Sequence, residues 1–321
     1  MPLTDLPLAE LRAFRPDVAE PADFDAFWRG TLAESRALAA APEFSAAATP
    51  IGELIVEDLL FSGFGGERIR GWITRPRRSG RLPVVIEYIG YGGGRGTPGE
   101  RLRWAASGYV HVLMDTRGQG AGWGTGGDTP DPHGSDSATP GYMTRGISRR
   151  EDYYYRRVFT DAVLLVDAVR ALPYADSSRI GVTGGSQGGG ISIAAAALHP
   201  GIAAAMPDVP FLCHFRRSVA LTPENPFREI ERYLSVHRDR VDQVFHTLSY
   251  FDGVNFARRI TRPALFSVGL MDDIVLPSSV FAAYNSLATE DASIEVYEFN
   301  GHEGGGFSHW LRQAAWLAER L

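Results

Sequence analysis

Residues 184–190 read GGSQGGG, follow the short apolar run 179–183 (RIGVT), and precede an alanine-rich stretch, residues 191–198. The pattern predicts a strand, a tight turn and a helix, with Ser186 at the apex. A turn this sharp, G-x-S-x-G, holds its serine in a strained conformation that exposes the hydroxyl, and the small flanking residues let neighbouring backbone come close. Glycines around a serine also make plain turns, and the five-residue pattern arises often by chance. The strand and helix expected on either side separate this case from such turns, and point to acyl transfer through a serine nucleophile.

A chain of 321 residues, 44% hydrophobic and 22% charged, is long enough for one large α/β domain or two smaller ones. A single domain over 1–321 is expected, with an N-terminal helical extension (1–50) and an insertion at 211–252. The net charge of -6 argues against a general nucleic-acid partner, which would present a basic face to phosphates. Arginine pairs such as Arg77-Arg78 and Arg258-Arg259 are scattered and read as solvated surface or ion-pair partners. One cysteine, Cys213, excludes an internal disulfide and a cysteine-based zinc site, and suits a reducing compartment. The first residues lack a basic segment followed by a long apolar one, and no later run approaches a membrane span. The cytoplasm is therefore the expected location, with no membrane partner.

Apolar residues at spacings of three and four (Phe24, Phe27, Trp28, Leu32) predict a helix over residues 21–40. Residues 55–61 and 68–74 read as two strands joined by a glycine-containing hairpin loop. From residue 84 onward, short apolar runs (84–88, 110–114, 180–183, 203–206, 264–268, 294–299) alternate with helical stretches (100–107, 157–171, 188–198, 277–287, 308–321). Such alternation implies a mainly parallel sheet with helices on both faces. Two stretches interrupt it: 118–146, rich in glycine, proline and aspartate, reads as a long surface loop, and 211–252 as a largely helical insertion. Excursions of this kind are often lids or interfaces, and as often decoration.

A serine hydroxyl needs an imidazole to take its proton and a carboxylate to hold that imidazole in the right tautomer. In the strand-elbow-helix fold class the chain order is serine, acid, histidine. Asp272 and Asp273 directly follow the strand 264–268; Asp272 is favoured, adjacent Asp273 stays open, and Asp208 is a weaker third. For the base, His302 follows the strand 294–299 in a glycine-rich loop. His111 falls within a strand, His133 in the long loop, His199 at a helix end, and His214, His237 and His246 in the insertion. His309 lies close enough to His302 to raise a metal site, but His302-Glu303 lacks the second histidine of H-E-x-x-H. The developing oxyanion needs two aimed donors. Gln187 N–H, directly after the nucleophile, is one, and the loop after strand 84–88 offers the other through Tyr91. No Gly-Lys-Ser/Thr follows the glycines 92–94, which argues against a Walker loop. Residues 122–127 (GWGTGG) match G-x-G-x-x-G but run into DTPDP, which opens no helix, so no nicotinamide or flavin is expected.

Several segments carry a further resemblance: residues 88–91 (YIGY), 115–120 (DTRGQG), 153–159 (YYYRRVF), 185–189 (GSQGG), 210–217 (PFLCHFRR), 249–253 (SYFDG) and 302–303 (HE). Together they resemble, in order and over nearly the whole chain, the acetyl xylan esterase and cephalosporin-C deacetylase group, carbohydrate esterase family 7. The resemblance implies an α/β-hydrolase fold, with Ser186 as nucleophile, Asp272 as acid, His302 as base, and the Tyr91 and Gln187 N–H groups as oxyanion hole. It implies removal of acetyl groups from short acetylated sugars and cephalosporin C, without metal or cofactor, in a homohexamer. The segment of Arg117, Gly118 and Gln119 corresponds to a structural motif beside the site. Gly92 departs from the pattern, standing where asparagine is common.

Overall fold

In the computed structural model, which describes residues 5–321, nine strands form one sheet. They are β1 (Glu43–Ala46), β2 (Leu54–Ser62), β3 (Arg68–Pro76), β4 (Leu82–Tyr88), β5 (Val110–Met114), β6 (Ala175–Gly185), β7 (Ala204–Asp208), β8 (Ala264–Gly269) and β9 (Ala292–Tyr297). Their spatial order is β1-β2-β3-β5-β4-β6-β7-β8-β9. The first three are antiparallel, and β3 joins β5 antiparallel through Gly71–Met114 and Thr74–His111. From β5 across to β9 every pairing is parallel. The sequence reflects this division. β3 alternates between buried and partly exposed residues, as one covered face requires, whereas all five residues of β5 are buried.

The helices in chain order are α1 (Leu8–Ala13), α2 (Phe24–Ala37), α3 (Arg103–Ala106), α4 (Tyr154–Arg170), α5 (Gln187–Leu198), α6 (Phe215–Leu221), α7 (Phe227–Val236), α8 (Val241–Ser249), α9 (Gly253–Ala257), α10 (Pro277–Tyr284) and α11 (Gly306–Ala318). One face of the sheet packs against α4, α5 and the aromatic cluster of Trp28, Phe159, Phe251 and Phe256. The other carries a smaller cluster in which Trp104 of α3 and Leu317 of α11 meet Val85, Met206 and Leu265.

Several expectations need correction. The N-terminal extension is not purely helical: residues 43–46 form β1, whose four residues are all exposed and so carry no alternation to read. The helix expected at 100–107 shrinks to the single turn of α3, and that at 157–171 starts earlier, at Tyr154. The segment 211–252 is helical as expected, and 118–146 contains neither helix nor strand.

From β4 the chain moves first to one side, to β5, and then to the other, to β6. Loops leaving the carboxyl ends of β4 and β6 therefore diverge and open a crevice at the topological switch point, where open α/β sheets bind ligands. The 91–94 loop, Tyr91 followed by three glycines, and the Ser186 turn are those two loops.

Candidate active site

Ser186 joins β6 to α5 with φ 56° and ψ -117°, in the left-handed half of backbone space that a side chain rarely adopts. The surroundings hold it there: its N–H donates to Asp208 O (2.9 Å), and its carbonyl accepts from Gly190 N (3.1 Å) and Phe211 N (3.0 Å). The glycines make this possible. A Cβ on Gly184 or Gly188 would overlap the Tyr88 carbonyl, and one on Gly190 the Phe211 carbonyl.

Asp272, three residues past β8, is fully buried. Its Oδ1 accepts the N–H groups of Ile274 (2.9 Å) and Val275 (2.8 Å), which aims Oδ2 at His302 Nδ1, 2.8 Å away. His302 sits in the loop between β9 and α11. That loop is braced by Glu303, which accepts from Asn300 Nδ2 (2.6 Å) and Gly301 N (3.1 Å). Asp273, adjacent in sequence, is exposed and turned outward. Asp208 meets a different imidazole: His309 Nε2 lies 2.8 Å from its Oδ1. The structure thus brings Asp272 and His302 together, and places His302 and Ser186 on one cavity of about 540 Å³.

Gln187 opens α5, so its N–H has no acceptor within the helix and lies directly beside the serine. Its buried side chain is fixed from three sides: Nε2 donates to Ile89 O (3.0 Å), and Oε1 accepts from Tyr155 Oη (2.9 Å) and Gln119 Nε2 (2.8 Å). Gln119 Oε1 also accepts from Gly92 N (2.7 Å), so one side chain ties the Tyr91 loop to the elbow. The Tyr91 loop turns at Gly92 (φ 80°), whose carbonyl accepts from Gly122 N (2.9 Å). Trp123 Nε1 donates to Tyr91 O (2.7 Å), and its ring lies where a Cβ on Gly93 would be. The segment 122–127 that matches a dinucleotide fingerprint is therefore a brace on the Tyr91 loop and starts no helix.

Sequence reasoning missed two residues here. Trp123, about half exposed at 48%, forms part of the cavity wall. Glu229 of α7 is buried beneath the Tyr91 ring and accepts Tyr91 Oη–H (2.7 Å) and Met143 N–H (3.0 Å). Burial pushes its carboxyl above the ordinary range, against the pull of those hydrogen bonds. Trp123 lies inside the misleading 122–127 match and Glu229 in no motif, and only the folded chain brings them to the site.

Arg117 is fully buried and grips Asp161 through Nε (2.6 Å) and Nη2 (2.8 Å), with Glu67 as a further partner. Arg157 binds Asp131 beside it (2.9 and 2.8 Å). Among the described residues no group of three or more histidines, cysteines or carboxylates could hold a metal ion, and no helix is long and apolar enough to cross a membrane.

The sequence profile described as acetyl xylan esterase (AXE1) matches residues 1–320. The chain belongs to the acetyl xylan esterase family. An acetyl xylan esterase from Paenibacillus sp. R4 superposes with a TM-score of 0.93 at 37% identity, over 98% of this chain and 100% of that one. Acetyl xylan esterase 1 from Thermoanaerobacterium sp. JW/SL YS485 gives 0.89 at 34%, over 98% and 99%. The acetyl esterase Axe7A of Xylanibacter ruminicola is 26% identical over 325 residues, covering 96% of this chain and 69% of that protein. The fold is an α/β hydrolase, and this member of the family is a carboxylic ester hydrolase that acts on acetylated sugars.

Proposed function

We propose that this acetyl xylan esterase works by a serine triad, Ser186, His302 and Asp272, with the N–H groups of Tyr91 and Gln187 as oxyanion hole. The observation that carries the reading is the buried Asp272 carboxylate bonded to His302 Nδ1, on the cavity that also holds the strained Ser186. That bond leaves His302 Nε2 as the base. It takes the Ser186 proton as Oγ attacks the acetyl carbonyl, and the tetrahedral oxyanion is met by the two N–H groups. His302 then gives the proton to the departing sugar oxygen, leaving an acetyl-enzyme. Water, deprotonated by the same imidazole, attacks the acetyl carbon and releases acetate. The substrates are short acetylated sugars such as xylo-oligosaccharides, with cephalosporin C as a second acetyl ester. The working assembly is a homohexamer, and the buried, unbridged thiol of Cys213 suits the cytoplasm.

Rates on 4-nitrophenyl esters from acetate to octanoate test this, with Ser186→Ala alongside. A steep fall beyond acetate, lost in the variant, is the expected result. Preference for long chains would contradict the deacetylase, and activity surviving in Ser186→Ala would exclude the serine mechanism.

A further inference from the structure

The cavity at Ser186 is much larger than an acetyl group. Its volume of about 540 Å³ lies in the range of roughly 300–1,000 Å³ typical of sites for whole small molecules. It runs from Ser186 and His302 down the face of the sheet that carries α3 and α11, and charged groups line the part that the triad leaves unused.

Asp208, at the end of β7, is the acceptor there. Its Oδ1 takes hydrogen bonds from Gln313 Nε2 (2.8 Å) and Ser267 Oγ (3.3 Å), with His309 Nε2 close by but not aligned as a donor. Its Oδ2 has no protein donor among the described residues, and the side chain is 27% exposed on the cavity wall. A carboxylate locked by one oxygen and open at the other is a fixed acceptor for a hydroxyl. Arg101 is the donor. Glu87 holds one of its nitrogens, and Glu87 is itself steadied by His111 Nε2 at 2.9 Å. The other guanidinium N–H groups have no protein acceptor among the described residues, and the side chain is 33% exposed on the same cavity. Trp104 and Trp310, packed edge to face at 5.5 Å, add apolar wall beside these polar groups.

We propose that Asp208 and Arg101 form a hydroxyl-recognising subsite that takes the polyhydroxylated ring of the alcohol portion of the ester, Asp208 accepting one ring hydroxyl and Arg101 donating to another. An acyl chain would gain nothing from a fixed carboxylate and guanidinium, whereas a sugar satisfies both. The subsite rests on the reading of Ser186 as the nucleophile of a sugar deacetylase.

The test compares kcat/KM on a monoacetylated methyl xyloside with that on cyclohexyl acetate, a ring of similar size without hydroxyls, in wild type, Asp208→Asn, Arg101→Met and Ser186→Ala. The wild type is expected to prefer the xyloside, and each binding variant to lower the xyloside-to-cyclohexyl ratio by about 10- to 100-fold, the cost of one hydrogen bond to a charged group. A merely structural role would lower both rates together and leave the ratio where it was. An unchanged ratio in both variants overturns the subsite, and if Asp208→Asn does not fold, Arg101→Met at the cavity rim decides alone. Failure of the underlying reading looks different: no Ser186-dependent hydrolysis of either acetate by the wild-type protein.

Discussion

Replacing Asp272 with asparagine keeps the shape of the site while removing the acceptor that fixes His302 as the Nδ1–H tautomer. An Asn amide presents N–H to a nitrogen that must itself donate, so kcat is expected to fall about 10⁴-fold with the fold retained, as seen when a triad carboxylate is so replaced. Asp273→Asn, on an exposed side chain, should leave kcat within a factor of two or so, since surface changes of this kind are usually worth about 0.5 kcal/mol or less. Steady-state kinetics with far-ultraviolet circular dichroism on both variants checks the pair, and equal losses would contradict the assignment. Spacing could not choose between these neighbours. The choice lies in two hydrogen bonds from Ile274 and Val275 that turn one carboxylate inward, and those depend on how the loop after β8 folds against the His302 loop.

At the scale of elements, helix α7 of the insertion reaches the Tyr91 loop, the proposed oxyanion side of the site, through Glu229. Its carboxylate fills the space at Gly141, which has φ 121° and no room for a Cβ, and it holds Tyr91 by the phenol. Glu229→Gln retains an acceptor for Tyr91 but turns an amide N–H toward backbone donors. It is expected to lower kcat roughly 10-fold or more through a displaced Tyr91 loop, at little change in KM, since losing one oxyanion donor outright costs about 10²–10³. Tyr91→Phe should show a similar loss, and the double variant little more than either alone, because both break one link. Additive losses would show that the insertion acts elsewhere. The insertion was legible as helical from its composition, but nothing in residues 211–252 marked Glu229, because its partner lies 138 positions away. The elbow was legible for the opposite reason: its strand, serine and helix are contiguous, and its glycines are demanded by local backbone approach.

For the molecule as a whole, acid stability should depend on carboxylates that folding holds ionised. Burial alone would raise the Glu87 carboxyl, but the Arg101 charge and the His111 hydrogen bond outweigh it and bring it from 4.5 down to about 2. A depressed folded value means the unfolded chain binds the proton first. The stabilisation is therefore complete above pH 4.5 and is lost as pH falls toward 2. Asp131 behaves in the same sense: burial pushes it up, and Arg157 and Arg117 bring it below 3.8. Urea midpoints measured between pH 6 and pH 2 should fall steeply below about 4.5, and less steeply in Glu87→Gln; parallel curves would contradict the assignment. In the second buried network, Arg117→Met leaves the Asp161 carboxylate, 1% exposed, without its counter-charge and with the Phe64 N–H (2.8 Å) as its remaining donor, and should cost about 3–5 kcal/mol, read from denaturant unfolding.

By itself the sequence determined what depends on neighbours along the chain: the alternation that makes the sheet mainly parallel, the strained turn at Ser186, the glycines that let backbone pass close, and a short list of candidate carboxylates and histidines in loops after later strands. Periodicity and turn chemistry act over a few residues, so they survive in the unaligned chain. The tertiary structure decided what depends on distant segments meeting. It put the carboxylate of Asp272, and not that of Asp273, against His302 Nδ1, and it set Asp208 on the second polar half of the cavity. It set Trp123 on the Tyr91 loop, and it recruited β1, whose exposed residues joined the sheet chiefly by backbone pairing to β2, with the Glu43–Arg68 ion pair and the Phe44–Tyr174 ring contact added at the edge. Backbone pairing and a single long-range hydrogen bond leave no pattern in composition, because any residue of suitable chemistry can supply them once the fold brings it there.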